Sequence, residues 1–228
     1  VQNAMFAAAL AYSMGKELDD IRHGLQTFTQ TFFQAPGKMN IFEEHPFKVL
    51  LDYAHNPAAV RAISELCSKL DVNGRRIAVI SAPGDRRDED IQKIAEIAAP
   101  HFDHFICKAD DNRRGRADDE VPQLMKKTLL TAGIKTAGID VIPDEAGAVE
   151  AALSMAKEGD LVLILGDDIT RCWKQIVHFD SENTAPVDKL AKLKQDETVV
   201  EDFHFELEEG QKIIQDERGV RIAKEEAD

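Results

Sequence analysis

Nowhere in its 228 residues does the chain read Gly-x-x-x-x-Gly-Lys followed by Ser or Thr, the loop whose backbone amides cradle a phosphate chain. If the chain helps to handle a nucleoside triphosphate, the phosphates are held on another part of the protein. Cysteine is scarce: Cys67, Cys107 and Cys172 are odd in number and show no Cys-x-x-Cys spacing. That argues against a disulfide framework or a zinc site and leads us to expect a reducing, cytoplasmic setting. No apolar run reaches the ~20 residues needed to span a bilayer, and no secretory signal pattern is visible, so no membrane is expected as a partner. Positive charge is also short, with 28 Lys and Arg against 42 Asp and Glu and a net charge of −14. A general nucleic-acid binder would show a basic face, so nucleic acid is not expected either. Two basic islands stand against this background, Arg86-Arg87 and Arg113, Arg114 with Arg116.

What is present reads as a folded α/β chain. Hydrophobic residues make up 43% and charged residues 31%, an ordinary globular balance in a length that suffices for one sizeable domain with additions. Residues 3–14, NAMFAAALAYSM, are apolar at helical spacing up to Gly15, and ELDDIRHGLQTF puts Ile21, Leu25 and Phe28 on one side of a second helix. Pro36-Gly37 marks a turn. From about residue 39 to 178 the apolar runs MNIFEE, KVLLDYA, RIAVISA, HFICKA, IDVIPD and LVLILG alternate with helical stretches at 57–70, 88–99, about 119–131 and 144–157. Strands apolar on both faces and separated by helices of this length predict a doubly wound α/β domain. Its sheet should be mostly parallel, covered by helices on both faces, with room for one antiparallel edge strand.

The composition changes after Phe179. The last 49 residues hold 15 acids against 7 bases. DSENTAPVDKLAKLKQDET is polar and linker-like, and KIIQDERGVRIAK reads as a hairpin with Gly219 at its turn. Few large apolar residues offset the cost of ordering this tail, ~1–2 kcal/mol of backbone entropy per residue. We expect it to be partly mobile, or docked on a missing partner domain. The division is therefore 1–35, 36–179 and 180–228. A chain that opens on a helical pattern without Met is read as a piece of something longer.

In an open α/β sheet, ligands bind outside the carboxyl ends of the strands. Asp52 ends the run KVLLD, Asn56 suits the first cap of the following helix, and Pro57 suits its first turn. Asp52 and His55 are left for the crevice, where a carboxylate can accept hydrogen bonds from two sugar hydroxyls or tie down its own loop amides. Three further strand ends are charged: Asp85-Arg86-Arg87, Asp110-Asp111-Asn112-Arg113, and Gly166-Asp167-Asp168. Mixed signs along one edge suit a small zwitterionic or phosphorylated ligand. His101, His104 and Trp173 read as structural.

APGKMNIFEE, KVLLDYAHNPAAV and APGDRRDED together resemble the C-terminal domain of the Mur ligase superfamily. That superfamily holds the peptidoglycan amino-acid ligases, the folylpolyglutamate synthetases and the cyanophycin synthetases. The later loops, DDNRRGR and GDDITRCWKQIVHF, are most similar to the cyanophycin synthetase branch, and residues 1–28 resemble the last helices of the family's central ATP-binding domain. The resemblance implies a Rossmann-like fold and ATP-dependent amide formation through an acyl phosphate. In that branch arginine is added to aspartate side chains of an aspartate-backbone polymer.

The resemblance also implies roles. Asn3 falls on the adenine side of the nucleotide, Asp52 holds the ribose, and His55 and Asn56 share that loop. Lys38 stands where the family usually has an arginine on the nucleotide, keeping the charge but losing the bidentate fork. The loops of Asp85 and Arg86 and of residues 110–114 match regions that select the amino acid. For arginine, Asp110 or Asp111 would face the guanidinium and Arg113 the α-carboxylate. Magnesium ligands and catalytic groups are expected on missing domains, so this chain alone should not turn over. Its expected partners are ATP, the amino acid, a peptide-like acceptor, the missing domains and, in the full-length protein, further copies of itself. A peptidoglycan-type or folylpolyglutamate-type ligase, or a non-catalytic α/β binding and assembly module, are the alternatives.

Overall fold

The computed structural model describes residues 2–28 and 31–179, together with two strands at 211–216 and 219–224. The chain divides into two compact units, one ending at Thr184 and one starting at Ala185. The first begins with α1 (Gln2–Ser13) and α2 (Leu18–Thr27), neither of which has a buried residue. Then follow β1 (Asn40–Phe42), β2 (Lys48–Asp52), α3 (Pro57–Lys69), β3 (Arg76–Ile80), α4 (Asp88–Ala98) and β4 (His104–Cys107). The unit continues with α5 (Glu120–Thr131), β5 (Ile139–Val141), α6 (Glu145–Met155), β6 (Leu161–Leu165) and α7 (Ile169–His178).

One sheet runs β1-β2-β6-β3-β4-β5. β1 is antiparallel to β2, and every other neighbouring pair is parallel. β6 reads LVLIL and is buried at all five positions, as a central parallel strand covered on both faces must be. Leu161, Leu163 and Leu165 join one core with Val60 and Ile63 of α3, Ile91 of α4 and Met125 of α5. Val162 and Ile164 join the other with Val149 and Leu153 of α6 and Cys172 and Ile176 of α7. The doubly wound, mostly parallel sheet expected from the sequence is therefore present, with its antiparallel strand at the edge.

This winding sets the position of the site. The chain leaves β2 and β3 toward the face that carries α3 and α4, and leaves β6, which lies between them, toward the face of α7. Connections that part to opposite faces open a crevice at the carboxyl ends of these strands, the usual ligand position in such sheets.

Trp173 packs at the domain edge, stacked on Phe32 with ring centroids 4.7 Å apart and edge-on to Phe42. His101 pairs with Ser68 and His104 with Asp140, both structural contacts. The second unit shows β7 (Gln211–Asp216) and β8 (Gly219–Lys224) as an antiparallel pair with Asp216 opposite Gly219. The polar stretch 180–198 read as a linker lies outside the described residues. No helix among those residues is long and apolar enough to cross a membrane.

Candidate functional site

Four loops meet at the carboxyl edge of the sheet, those following β2, β3, β4 and β6. Two helices that start there are capped by acids or amides of the loops. Asn56 accepts the Ala59 amide at 3.0 Å with Pro57 in the first turn of α3, and Asp168 accepts the Arg171 amide at 3.0 Å at the start of α7.

Beneath the loops lies a frame of buried charge that the sequence reading did not assign. Lys108, just past β4, and Glu145, first residue of α6, are both fully buried and 2.9 Å apart. Lys108 also donates to Ser81, just past β3, at 3.0 Å. Glu145 accepts the amides of Asp167 and Asp168, and the Arg171 guanidinium. Arg171 reaches across to Asp111 at 2.8 Å. Burial alone would push the Glu145 carboxyl up, but the Lys108 ammonium and the two amides outweigh it and hold it at about 2. The frame thus ties the ends of β3, β4 and β6 to the start of α6. Its one sequence signal is a lysine at the end of an otherwise apolar run.

The loops after β3 and β4 touch directly. A Cβ on Gly84 would lie 2.2 Å from the Arg113 carbonyl oxygen, so only glycine allows this approach. Asp85 pairs with Arg114 at 2.9 Å, and Arg114 holds its carboxyl below the usual carboxylate range. Arg116 spans both loops: it donates to the carbonyls of Gly84 and Arg86 at 2.8 Å each and pairs with Asp88 and Glu120. Arg113 donates to Asp118 and to the Asp110 carbonyl, so much of its fork is used within its own loop. Arg86 is exposed.

Charge balance separates the acids of this edge. Asp111, Asp168 and Glu145 share Arg171, while Asp85, Asp88 and Asp118 each have an arginine. Among the described residues, Asp110 and Asp167 have none. Asp110 is 8% exposed, with the Lys108 ammonium 3.8 Å away. Asp167 accepts the Asp111 amide at 3.0 Å, and burial, then the charge of Asp110, pushes its carboxyl up. An edge so arranged holds excess negative charge between the β4 and β6 loops.

The β2 end is built differently. Asp52 is half-buried and accepts the Met39 amide at 2.9 Å; burial outweighs that bond and the Lys38 charge and pushes its carboxyl up. It therefore anchors its neighbouring loop. Gly37 and Met39 both have positive φ, +66° and +53°. Lys38 is exposed and sits 5.8 Å from the centre of the Tyr53 ring. The His55 ring lies 4.9 Å from that of Tyr53, and its Nδ1 is 3.0 Å from the Tyr53 carbonyl. Lys38, Asp52, His55 and Asn56 are thus gathered at one end of the edge, and Asp85, Arg86, Asp110, Asp111 and Arg113 at the other. Asn3 stands exposed on α1.

Comparison with known proteins fits this architecture. The family description "Mur ligase, glutamate ligase domain" matches residues 37–167. A cyanophycin synthetase of Crocosphaera subtropica is 39% identical over 171 residues, covering 75% of this chain and 19% of that protein. A UDP-N-acetylmuramoyl-L-alanyl-D-glutamate–2,6-diaminopimelate ligase of Aquifex aeolicus is 32% identical over 162 residues, 70% of this chain and 31% of that one. Among solved structures, E. coli FolC in complex with ADP superposes with a TM-score of 0.58 at 27% identity, covering 77% of this chain and 38% of FolC. The chain spans about a fifth of the length of the cyanophycin synthetases it matches. With the matched region, the doubly wound sheet and the charged carboxyl edge in agreement, the chain belongs to the Mur ligase family, of which it carries the C-terminal, glutamate ligase domain.

Proposed function

We propose that this chain is the C-terminal part of an ATP-dependent amino-acid ligase of the cyanophycin synthetase type. The amino acid it admits is arginine, joined to aspartate side chains of an aspartate-backbone acceptor. In this reaction ATP phosphorylates the acceptor carboxylate, the incoming amine attacks the acyl phosphate, and phosphate leaves. Similarity to cyanophycin synthetases at 37–39% identity supports the reading. The observation that carries it is the excess of carboxylates over cations between the β4 and β6 loops: Lys108 is shared by Glu145 and Asp110, Asp167 pairs with no cation among the described residues, and a guanidinium would supply the balancing charge.

At the β2 end, Asp52, His55 and Asn56 lie beside the ribose and Asn3 toward the adenine, with Lys38 giving a point charge to the nucleotide. Met39 donates to one carboxylate oxygen of Asp52, which aims the group toward the ribose hydroxyls. Asp85 and Arg86 form the lip of the amino-acid end, with Asp110 facing the guanidinium. Asp111 positions its loop through Arg171, and Arg113 lies nearest the α-carboxylate. Residues 1–35 belong to the end of a central domain, which brings the phosphate loop and the magnesium ligands. That domain covers the apolar side chains now exposed on α1, Met5 at 65% and Phe6 at 74%.

The test uses the full-length protein of which this chain is part. With ATP, magnesium and an aspartate-backbone primer, phosphate release should depend on arginine. Dependence instead on diaminopimelate with a muramoyl peptide, or on glutamate with a folate, would replace this reading by a peptidoglycan-type or folylpolyglutamate-type ligase. No amino-acid dependence at all would leave a binding module.

A further inference from the structure

Two loops of the edge, those after β3 and β4, come from separate crossovers and have no backbone ladder between them. At their base the buried Lys108 donates to Ser81, but farther out, toward the loop tips, what joins them is mainly one side chain. Arg116 is only 17% exposed, and its guanidinium meets four acceptors. Nε donates to the Gly84 carbonyl, Nη2 to the Arg86 carbonyl and to Asp88, and Nη1 to Glu120, at 2.7–2.8 Å. Three of these acceptors lie in the stretch that follows β3, whereas Arg116 and Glu120 follow β4. A planar fork with fixed donor directions can satisfy two carbonyls and two carboxylates together; a lysine, with one ammonium point, cannot.

The other links between the loops are of different kinds. Asp85 and Arg114 are 2.9 Å apart, but both are about half exposed, and such pairs contribute little. Gly84 against the Arg113 carbonyl is a close approach that holds only while something keeps the loops together. The turn at the tip of the second loop, Arg114 and Gly115, has positive φ at both residues, +49° and +91°. Arg116 follows directly and is anchored by its amide on the Arg113 carbonyl at 3.1 Å. Its side chain is therefore aimed back across the gap by the shape of its own loop.

From this geometry we infer that Arg116 is a positioning residue, which fastens the loops after β3 and β4 into one wall and thereby sets the affinity for the incoming amino acid. It acts through the groups those loops present, Asp85 and Arg86 on one and Asp110 and Arg113 on the other. None of the four acceptors of Arg116 belongs to the β2 end, so its loss should touch the nucleotide less than the amino acid. The inference rests on the reading that these loops take the amino acid.

The experiment compares wild-type full-length protein with Arg116→Ala, Arg116→Lys and Gly84→Ala, measuring hydrogen exchange over residues 83–88, the KM for arginine and the KM for ATP. Gly84→Ala separates the loops from the other side, because its new methyl group would meet the Arg113 carbonyl. It keeps the inference testable if Arg116→Ala does not fold. Arg116→Ala should speed exchange over 83–88 and raise the arginine KM about tenfold, the effect of losing one charge-assisted contact, with the ATP KM changed less than about twofold. Arg116→Lys should fall between, and Gly84→Ala should reproduce the arginine effect with Arg116 intact. Faster exchange with an unchanged arginine KM, unchanged exchange, or equal rises in both constants would each overturn the inference. If the wild-type protein turns over no amino acid, the ligase reading fails. The exchange comparison still judges the fastening, which unchanged protection in Arg116→Ala would refute.

Discussion

Lys108 and Glu145 show how much of this molecule is decided by single side chains out of reach of water. A buried ion pair is not a stabilising device in general, since desolvation offsets its attraction. Here the remaining valences are filled: Ser81 on the lysine, two amides and Arg171 on the carboxylate. The consequence is a pH dependence with a defined sign. Burial acts to raise the Glu145 carboxyl, but Lys108 and the amides win and hold it at about 2 against an ordinary 4.5. A folded pKa below the unfolded one contributes stability that is fully present above about pH 5 and is lost as pH falls toward 2. Thermal melts across that range should show a steep fall for the wild-type chain and a shallower one for Glu145→Gln; equal slopes would remove Glu145 as the source. The sequence showed the lysine in HFICKAD but not its partner. The pair exists only because β5 lies beside β4 and delivers the start of α6 to it, which no local spacing encodes. Asp52 was half legible in the same sense. A carboxylate at a strand end was plain, whereas its bond to Met39 depends on β1 pairing antiparallel with β2.

Among the elements, the strands and helices of the sheet were readable because their periodicities differ and their caps are explicit, as with Asn56-Pro57 before α3. The fully apolar run LVLIL announced an interior strand. Its insertion between β2 and β3 was not announced, since it follows from the crossover of α6 on the opposite face, and that insertion creates the crevice. Packing between elements is also tight where the sequence shows only a turn signal. Gly37 sits at φ +66° with Ile169, first residue of α7, close by, and a Cβ there would lie 2.8 Å from Ile169 Cγ1. Gly37→Ala should therefore lose about 1–2 kcal/mol from the left-handed backbone alone, with added strain from the contact. A melting temperature lowered by several degrees is the expected result. An unchanged one would mean that the β2 end yields more easily than its contacts suggest.

At the scale of the whole molecule, the carboxyl edge reads as two half-sites on one frame. Asp52, His55 and Lys38 lie at the β2 end, and Asp110 and Asp167 at the β4 and β6 loops. On the function proposed above, nucleotide and amino acid would use these two ends together, with the domains that complete the proteins of which this chain spans about a fifth. The most direct measurement is a crossed set of kinetics on the full-length ligase, with Asp52→Asn and Asp110→Asn each assayed against ATP and against arginine. A charge-assisted contact is worth ~1.5–3 kcal/mol, and 1.4 kcal/mol is a factor of about ten. Asp52→Asn, which keeps an acceptor for Met39, should raise the ATP KM roughly tenfold and leave the arginine KM within about twofold. Asp110→Asn should do the reverse. If neither constant moves, or if both variants raise the same one, the carboxyl edge of this sheet is not where the two substrates are held.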